Sequence, residues 1–262
     1  MYDSKEITLE DETMITSVQN NKVKQWNKLK KRKDRQKSQL FLIEGFHLVQ
    51  EAIHSDWEVE EIIVQEGLDT PTWVQEEIIT YVTEQVFRTI TETQTPQGIA
   101  AVVKMKEQVW NDFGQLLLVD AVQDPGNLGT IIRTSDAAGF DGVILGEGTV
   151  DLYNDKVIRA TQGSLFHLPI FQEDLKVKIP ELQEQEFKIW VSTLDGAEAY
   201  PSVQVPGKVA LVVGNEGAGI NPAIINQANQ KVNIPIFGKA ESLNVSVAAG
   251  ILIYYIANNK PK

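Results

Sequence analysis

Two unbroken apolar runs, Leu116-Leu117-Leu118-Val119 and Val209 to Val213, constrain this chain most. A strand with no polar side must be covered on both faces, which is the environment of a parallel sheet flanked by helices. Further strand-like runs occur at Gly142 to Leu145, Lys188 to Ser192 and Val232 to Ile236, with helical segments between them. That alternation predicts an α/β fold on a mostly parallel sheet. Strand-to-helix junctions carry three segments rich in glycine, asparagine and serine. They are Asp124-Pro125-Gly126-Asn127-Leu128-Gly129-Thr130-Ile131-Ile132-Arg133-Thr134, then Val213-Gly214-Asn215-Glu216-Gly217-Ala218-Gly219, then Ile234-Pro235-Ile236 followed by Glu241-Ser242-Leu243-Asn244-Val245-Ser246. Three such loops, each after an apolar strand, are expected to converge on one pocket.

The first half reads as a smaller αβ module over residues 1–105. Residues 1–20 are expected to be a strap-like start, followed by one basic helix from about Lys22. Phe41-Leu42-Ile43 reads as a strand leading through Glu44-Gly45 into an amphipathic stretch, Phe46 to Ile53. Glu61 to Val64, Tyr81-Val82 and Gly98 to Val103 read as strands, and Thr70-Pro71 as the start of a helix over Trp73 to Ile79. Lys106 to Asn111 is a mostly polar linker to a second domain over 112–262.

Composition narrows the chemistry. With no cysteine and three scattered histidines, His47, His54 and His167, neither a disulfide nor a metal site nor a histidine triad is expected. No apolar run reaches the roughly 18 residues of a membrane span. The start lacks a basic segment followed by an apolar one, so a cytoplasmic protein is expected. The net charge of −12 hides a segregation: residues 22–37 hold nine cations against Asp34, leaving the remainder at −20. Such a cluster on an acidic body is a candidate phosphate-binding patch, with Lys22, Lys24, Lys30, Lys31, Arg32, Lys33 and Arg35 as its RNA-contacting candidates. A solvated helix face is the plain alternative, seated by Val23, Trp26 and Leu29 at spacings of three.

Within the first segment, Asn127 is placed to cap a helix, and Leu128, Ile131, Ile132 and Ser135 share one stripe. Arg133 lies about 140° from Leu128 and projects off that stripe. The second segment spaces its glycines as G-x-x-G-x-G, which is neither the dinucleotide fingerprint nor a P-loop. In the third, Ser242 reads as the cap of the last helix, Asn244 to Asn258, which has more apolar faces than one core needs and so is expected to meet another subunit.

In content, order and spacing these segments resemble the three motifs of the SpoU (TrmH) family of RNA ribose 2'-O-methyltransferases, within the SPOUT superfamily. The likeness covers roughly residues 113–258, and the stretch from Lys22 through Glu44-Gly45 is similar to the family's N-terminal RNA-binding domain. The resemblance implies S-adenosylmethionine as cofactor, a trefoil knot in the C-terminal segment and a homodimer. Residue by residue, it implies reaction-site roles for Asn127, Arg133, Glu216, Ser242 and Asn244. It likewise implies cofactor contacts from Thr193, Gly214, Asn215, Gly217, Ile234, Ile236 and Leu243. The expected substrate is structured RNA, ribosomal rather than transfer RNA. A non-catalytic RNA-binding or ribosome-assembly protein on the same fold would not need to keep these polar residues. A small-molecule enzyme would leave the basic segment without a role.

Overall fold

The computed structural model describes residues 14–74 and 79–261. The chain divides into two units, Met1–Lys106 and Glu107–Lys262. In the first, the basic stretch forms two helices rather than one, α1 (Asn21–Lys28) and α2 (Arg32–Ser38). Asn20 caps α1 by accepting the Lys22 N–H at 2.8 Å. At the break, the Arg35 guanidinium donates to the Leu29 carbonyl at 2.7 Å, so a carbonyl left over at the helix end is satisfied from the next helix. Val23, Trp26 and Leu29 are buried, as their spacing predicts. They pack with Ile63, Val86, Phe87 and Ile90.

The rest of this unit runs β1 (Leu40–Glu44), α3 (Phe46–His54), β2 (Val59–Gln65), β3 (Ile79–Val82), α4 (Glu84–Ile90) and β4 (Ile99–Lys104), with sheet order β1-β4-β2-β3. Gly45 turns β1 into α3 at φ +99, and a Cβ there would meet Gln97 Oε1 at 2.8 Å. The positive φ is what demands glycine, since the flexible end of Gln97 can move aside. The helix expected over Trp73 to Ile79 is not what surrounds it. Residues up to Val74 form a turn and Ile79 opens β3, while residues 75–78 lie outside the described part. Of the strap-like start, residues 1–13 also lie outside it; Ile15 pairs beside β3 with its N–H on the Tyr81 carbonyl at 2.9 Å.

The second unit runs β5 (Gln115–Val119), α5 (Pro125–Ala137), β6 (Gly142–Leu145), α6 (Asp155–Thr161), β7 (Ile170–Gln172), α7 (Leu175–Glu184), β8 (Lys188–Ser192), β9 (Glu198–Ala199), β10 (Val209–Val213), α8 (Pro222–Ile225), β11 (Gln230–Asn233) and α9 (Val245–Asn259). Its strands lie in the order β7-β6-β5-β10-β8-β11-β9, and every ladder between them is parallel. The two unbroken apolar runs are neighbours, Leu116 opposite Ala210 and Val119 opposite Val213, with every residue of both strands buried. Trp110, in the stretch expected to be a linker, packs on Phe113 at 4.8 Å and on Phe171 at 5.2 Å.

Along α5 the stripe is as expected, with Leu128, Ile131, Ile132 and Ser135 buried. Gly129 on the same helix has a packing reason: a Cβ would stand 2.3 Å from the Ala160 Cβ and 2.8 Å from the Val157 carbonyl oxygen. Helix α6 crosses at backbone distance there. Gly129→Ala is therefore expected to destabilise the unit by about 1–3 kcal/mol, because backbone cannot yield as a side chain does. Urea denaturation of the two proteins measures it.

Candidate active site

The C-terminal ends of β5, β8, β10 and β11 open on the same side of the parallel sheet, and ligands of such sheets bind beyond those ends. After β5, Asp120 is buried and its Oδ2 accepts the Asn221 N–H at 2.6 Å. Asp124 caps α5, its Oδ1 accepting the Asn127 N–H at 2.8 Å. Asn127 is thus not the cap its position suggested. It sits in the first turn with its side chain free to reach outward.

It reaches the other two segments. Asn127 Nδ2 donates to Glu216 Oε1 at 3.0 Å, and Asn127 Oδ1 accepts from Asn244 Nδ2 at 3.0 Å. Asn244 Oδ1 in turn accepts the Ser246 N–H at 2.8 Å and the Ser246 hydroxyl at 2.6 Å, capping α9. Ser242, expected to be that cap, is instead exposed in the preceding loop, two residues upstream of Asn244. The line has a fixed direction. An ionised carboxylate only accepts, so Asn127 must present its amino group to Glu216 and its carbonyl to Asn244.

Glu216 is well suited to anchor it. Burial works to raise its carboxyl pKa, but the bond from Asn127 and the backbone N–H groups of Asp124 and Gln123 outweigh burial and hold it below its ordinary value. A carboxylate so held is an acceptor and a charge, not a base near neutral pH.

Asn215 is consumed internally. Its Nδ2 donates to the Ala121 carbonyl at 2.8 Å, while its Oδ1 accepts from Gly217 at 2.9 Å and Ala218 at 2.8 Å. Gly214 is small because the loop folds back on it: a Cβ would lie 2.4 Å from the Gly219 carbonyl carbon. Beside this loop lies a cleft of about 630 Å³, a size that suits a small-molecule ligand. Thr193, Gly214, Asn215, Gly217, Ile234, Ile236 and Leu243 all line it, as do Glu216, Ser242 and Asn244. Ile234, Ile236 and Leu243 add apolar surface to a lining that otherwise includes the polar loops after β8 and β10. Leu194 and Asp195 line it too and were not expected. Their signal was available, because they follow the end of β8 as Gly214 follows β10.

Asn127 and Arg133 do not line the cleft. Asn127 is tied to its edge through Glu216 and Asn244. Arg133 is exposed on α5, with no hydrogen bond or ion pair to any described residue. Its neighbour Thr134 lies against α9, the Thr134 methyl standing 3.7 Å from where a Cβ of Gly250 would be.

In the N-terminal unit, the candidate cations separate into two sets. Lys22 pairs with Glu61 at 2.6 Å, and Lys30 pairs with Glu92 at 3.0 Å while donating to the Thr89 carbonyl at 2.9 Å. Arg35 is buried on Leu29 and is removed from the phosphate-facing candidates, because burying a cation requires its donors to be used inside. Lys24, Lys31, Arg32 and Lys33 are exposed.

The model of the SpoU rRNA Methylase family matches residues 114–254, and that of an MRM3-like substrate binding domain matches residues 20–101. The chain is 45% identical over 243 residues to the 23S rRNA (guanosine(2553)-2'-O)-methyltransferase RlmP of Bacillus subtilis, covering 92% of this chain and 98% of that one. It is similar to the AdoMet-bound rRNA methyltransferase of Sinorhizobium meliloti, with TM-score 0.84 and 30% identity over 94% of this chain and 97% of the other. The SpoU methyltransferase AviRb of Streptomyces viridochromogenes in complex with AdoMet aligns with TM-score 0.81 and 25% identity, over 91% and 97%.

Proposed function

The chain belongs to the SpoU rRNA methylase family, and on that premise we propose that it transfers the methyl group of S-adenosylmethionine to a ribose 2'-hydroxyl of ribosomal RNA. One observation carries this reading: Glu216, Asn127 and Asn244, from three segments far apart in the chain, form one directed line of hydrogen bonds beside a cofactor-sized cleft. A scaffold that only bound RNA would have no use for it. The 23S rRNA specificity of the Bacillus relative supports ribosomal over transfer RNA.

The cofactor supplies a methyl group already activated on a sulfonium. The protein's part is to hold acceptor and donor in line and help the hydroxyl lose its proton. Ile234, Ile236 and Leu243 wall the adenine end, and Thr193 with the Gly214–Gly217 loop borders the rest. Glu216 stays ionised and orients Asn127, which keeps one amide hydrogen and one carbonyl lone pair for the ribose. Arg133 cannot be a literal base, since a guanidinium is not deprotonated in proteins. It stabilises the developing alkoxide, or bridges to an RNA phosphate that takes the proton. Ser242, at the cleft mouth, contributes a hydroxyl.

The reading includes the family's trefoil knot and a homodimer in the cytoplasm. For the dimer, the support is α9, which leaves Val247 and Tyr254 exposed next to the helix that carries Arg133. For the knot, it is the insertion of the late strand β10 between β5 and β8.

Transfer of labelled methyl to total RNA from a strain lacking the gene tests the activity. Incorporation by this protein, mapped to a ribose in ribosomal RNA, is the expected result; no incorporation and no cofactor binding by calorimetry would overturn it. The N-terminal unit is proposed to grip phosphates through its exposed cations. Replacing Lys24, Lys31 and Lys33 together by glutamine should weaken RNA binding and flatten the slope of log affinity against log salt by about 2–3, at roughly 0.7–0.9 per lost contact. Cofactor affinity should not change. Lys30→Gln should mainly lower stability, as it leaves Glu92 and the Thr89 carbonyl without a partner.

A further inference from the structure

Between Ile236 in the cleft wall and the Ser242–Asn244 segment, the chain presents Phe237 with 97% of its surface exposed. A phenylalanine so placed contributes nothing to the core of its own unit and stays hydrated at a hydrophobic cost. Its surroundings are exposed as well, from Gly238 through Glu241. A Cβ on Gly238 would meet nothing within 4 Å. Lys239, two residues on, is exposed and has no partner among the described residues.

We propose that Phe237 positions the substrate by stacking on a nucleobase next to the methylated ribose, with Lys239 facing the adjoining phosphate. The proposal rests on the methyltransferase reading and names how that site holds its RNA. An aromatic ring beside a free cation is the pairing that grips unstacked nucleotides, because every base has a π-face and every linkage a phosphate. A second copy of the chain is the weaker occupant for this ring. The residues that follow it, Gly238, Lys239, Ala240 and Glu241, are small or charged and exposed, whereas α9 exposes the larger apolar side chains Val247 and Tyr254. The loop also starts from the cleft wall at Ile236 and ends at Asn244, which caps α9 and bonds Asn127, so the ring belongs to a segment bordered on both sides by residues of the candidate site.

The test is steady-state methyl transfer to the RNA by wild type, Phe237→Ala and Phe237→Trp, with cofactor affinity by calorimetry and oligomeric state by sedimentation. Phe237→Ala is expected to raise the KM for RNA roughly tenfold, in keeping with the loss of one stacked base, with kcat and cofactor affinity unchanged. Phe237→Trp should restore KM and show fluorescence quenching by RNA beyond that of wild type. An unchanged KM in Phe237→Ala would overturn the proposal. So would a changed sedimentation coefficient, which would make Phe237 a subunit contact, or a weakened cofactor affinity, which would make it part of the cleft. Absence of transfer by wild type would remove the methyltransferase reading itself and is told apart by that control.

Discussion

Arg133→Ala is expected to lower kcat by a factor on the order of 10²–10³, the cost of removing one preorganised donor from a developing oxyanion. Cofactor affinity should stay the same, because Arg133 does not line the cleft and forms no hydrogen bond or ion pair with any described residue. Fold stability should also stay the same, since the side chain is exposed and makes no hydrogen bond to any described residue. Arg133→Lys separates charge from shape. An ammonium keeps the charge but loses the planar fork that holds an alkoxide and a phosphate together, so this variant should recover only part of the rate. Single-turnover transfer with pre-bound RNA measures the chemical step. A lysine variant at full rate would show that charge alone suffices.

Glu216→Gln is expected to lower kcat by roughly 10- to 100-fold, through the loss of a charge-assisted acceptor and the misorientation of an amide. In the native protein, both carboxylate oxygens accept: Oε1 from Asn127 and Asp124, and Oε2 from Gln123. A glutamine turned to serve Asn127 directs its amino group at the Gln123 N–H, setting donor against donor. Turned the other way, it drives Asn127 to flip and breaks the bond from Asn244. Either way the line loses its direction. Glu216→Gln and Asn127→Ala should therefore be strongly non-additive in a double-mutant cycle, since each disables the same unit. Additive losses would show two independent roles.

The same carboxylate predicts a pH dependence. Its folded pKa lies below the ordinary 4.5, so its stabilising contribution is complete above that value and is lost as pH falls through the lowered folded one. Between pH 6 and 8 its protonation state does not change. A rate profile over that range should report the ribose proton transfer and not Glu216.

Much of the architecture is legible in the chain because burial on both faces leaves an unambiguous pattern. Leu116 to Val119 and Val209 to Val213 read as strands buried on both faces, and they are central neighbours in a parallel sheet. The α5 stripe was equally plain from its spacing. Local capping was less so. Asn127 and Ser242 both have side chains that suit a cap, and in both cases another residue, Asp124 and Asn244, takes the position. Capping depends on where the chain bends, and several neighbouring residues can satisfy the same N–H. The basic run misled for a related reason: charge does not show where a helix stops, so α1 and α2 read as one element and the buried Arg35 as a surface cation.

The chain by itself determined the fold class and that its three glycine-, asparagine- and serine-bearing segments meet at one place, while the roles of their side chains rest on the family resemblance. The first two follow from burial patterns and turn chemistry, which are local along the sequence. Only the tertiary structure decided that Asn127 is held between Glu216 and Asn244, that Glu216 is an ionised acceptor, and that Arg133 stands outside the cleft. It also decided which cations of the N-terminal unit are spent on their own fold. The contacts of Glu216, Asn127, Lys22 and Lys30 join groups 39 to 117 residues apart, and no pattern along the chain encodes a distance through space.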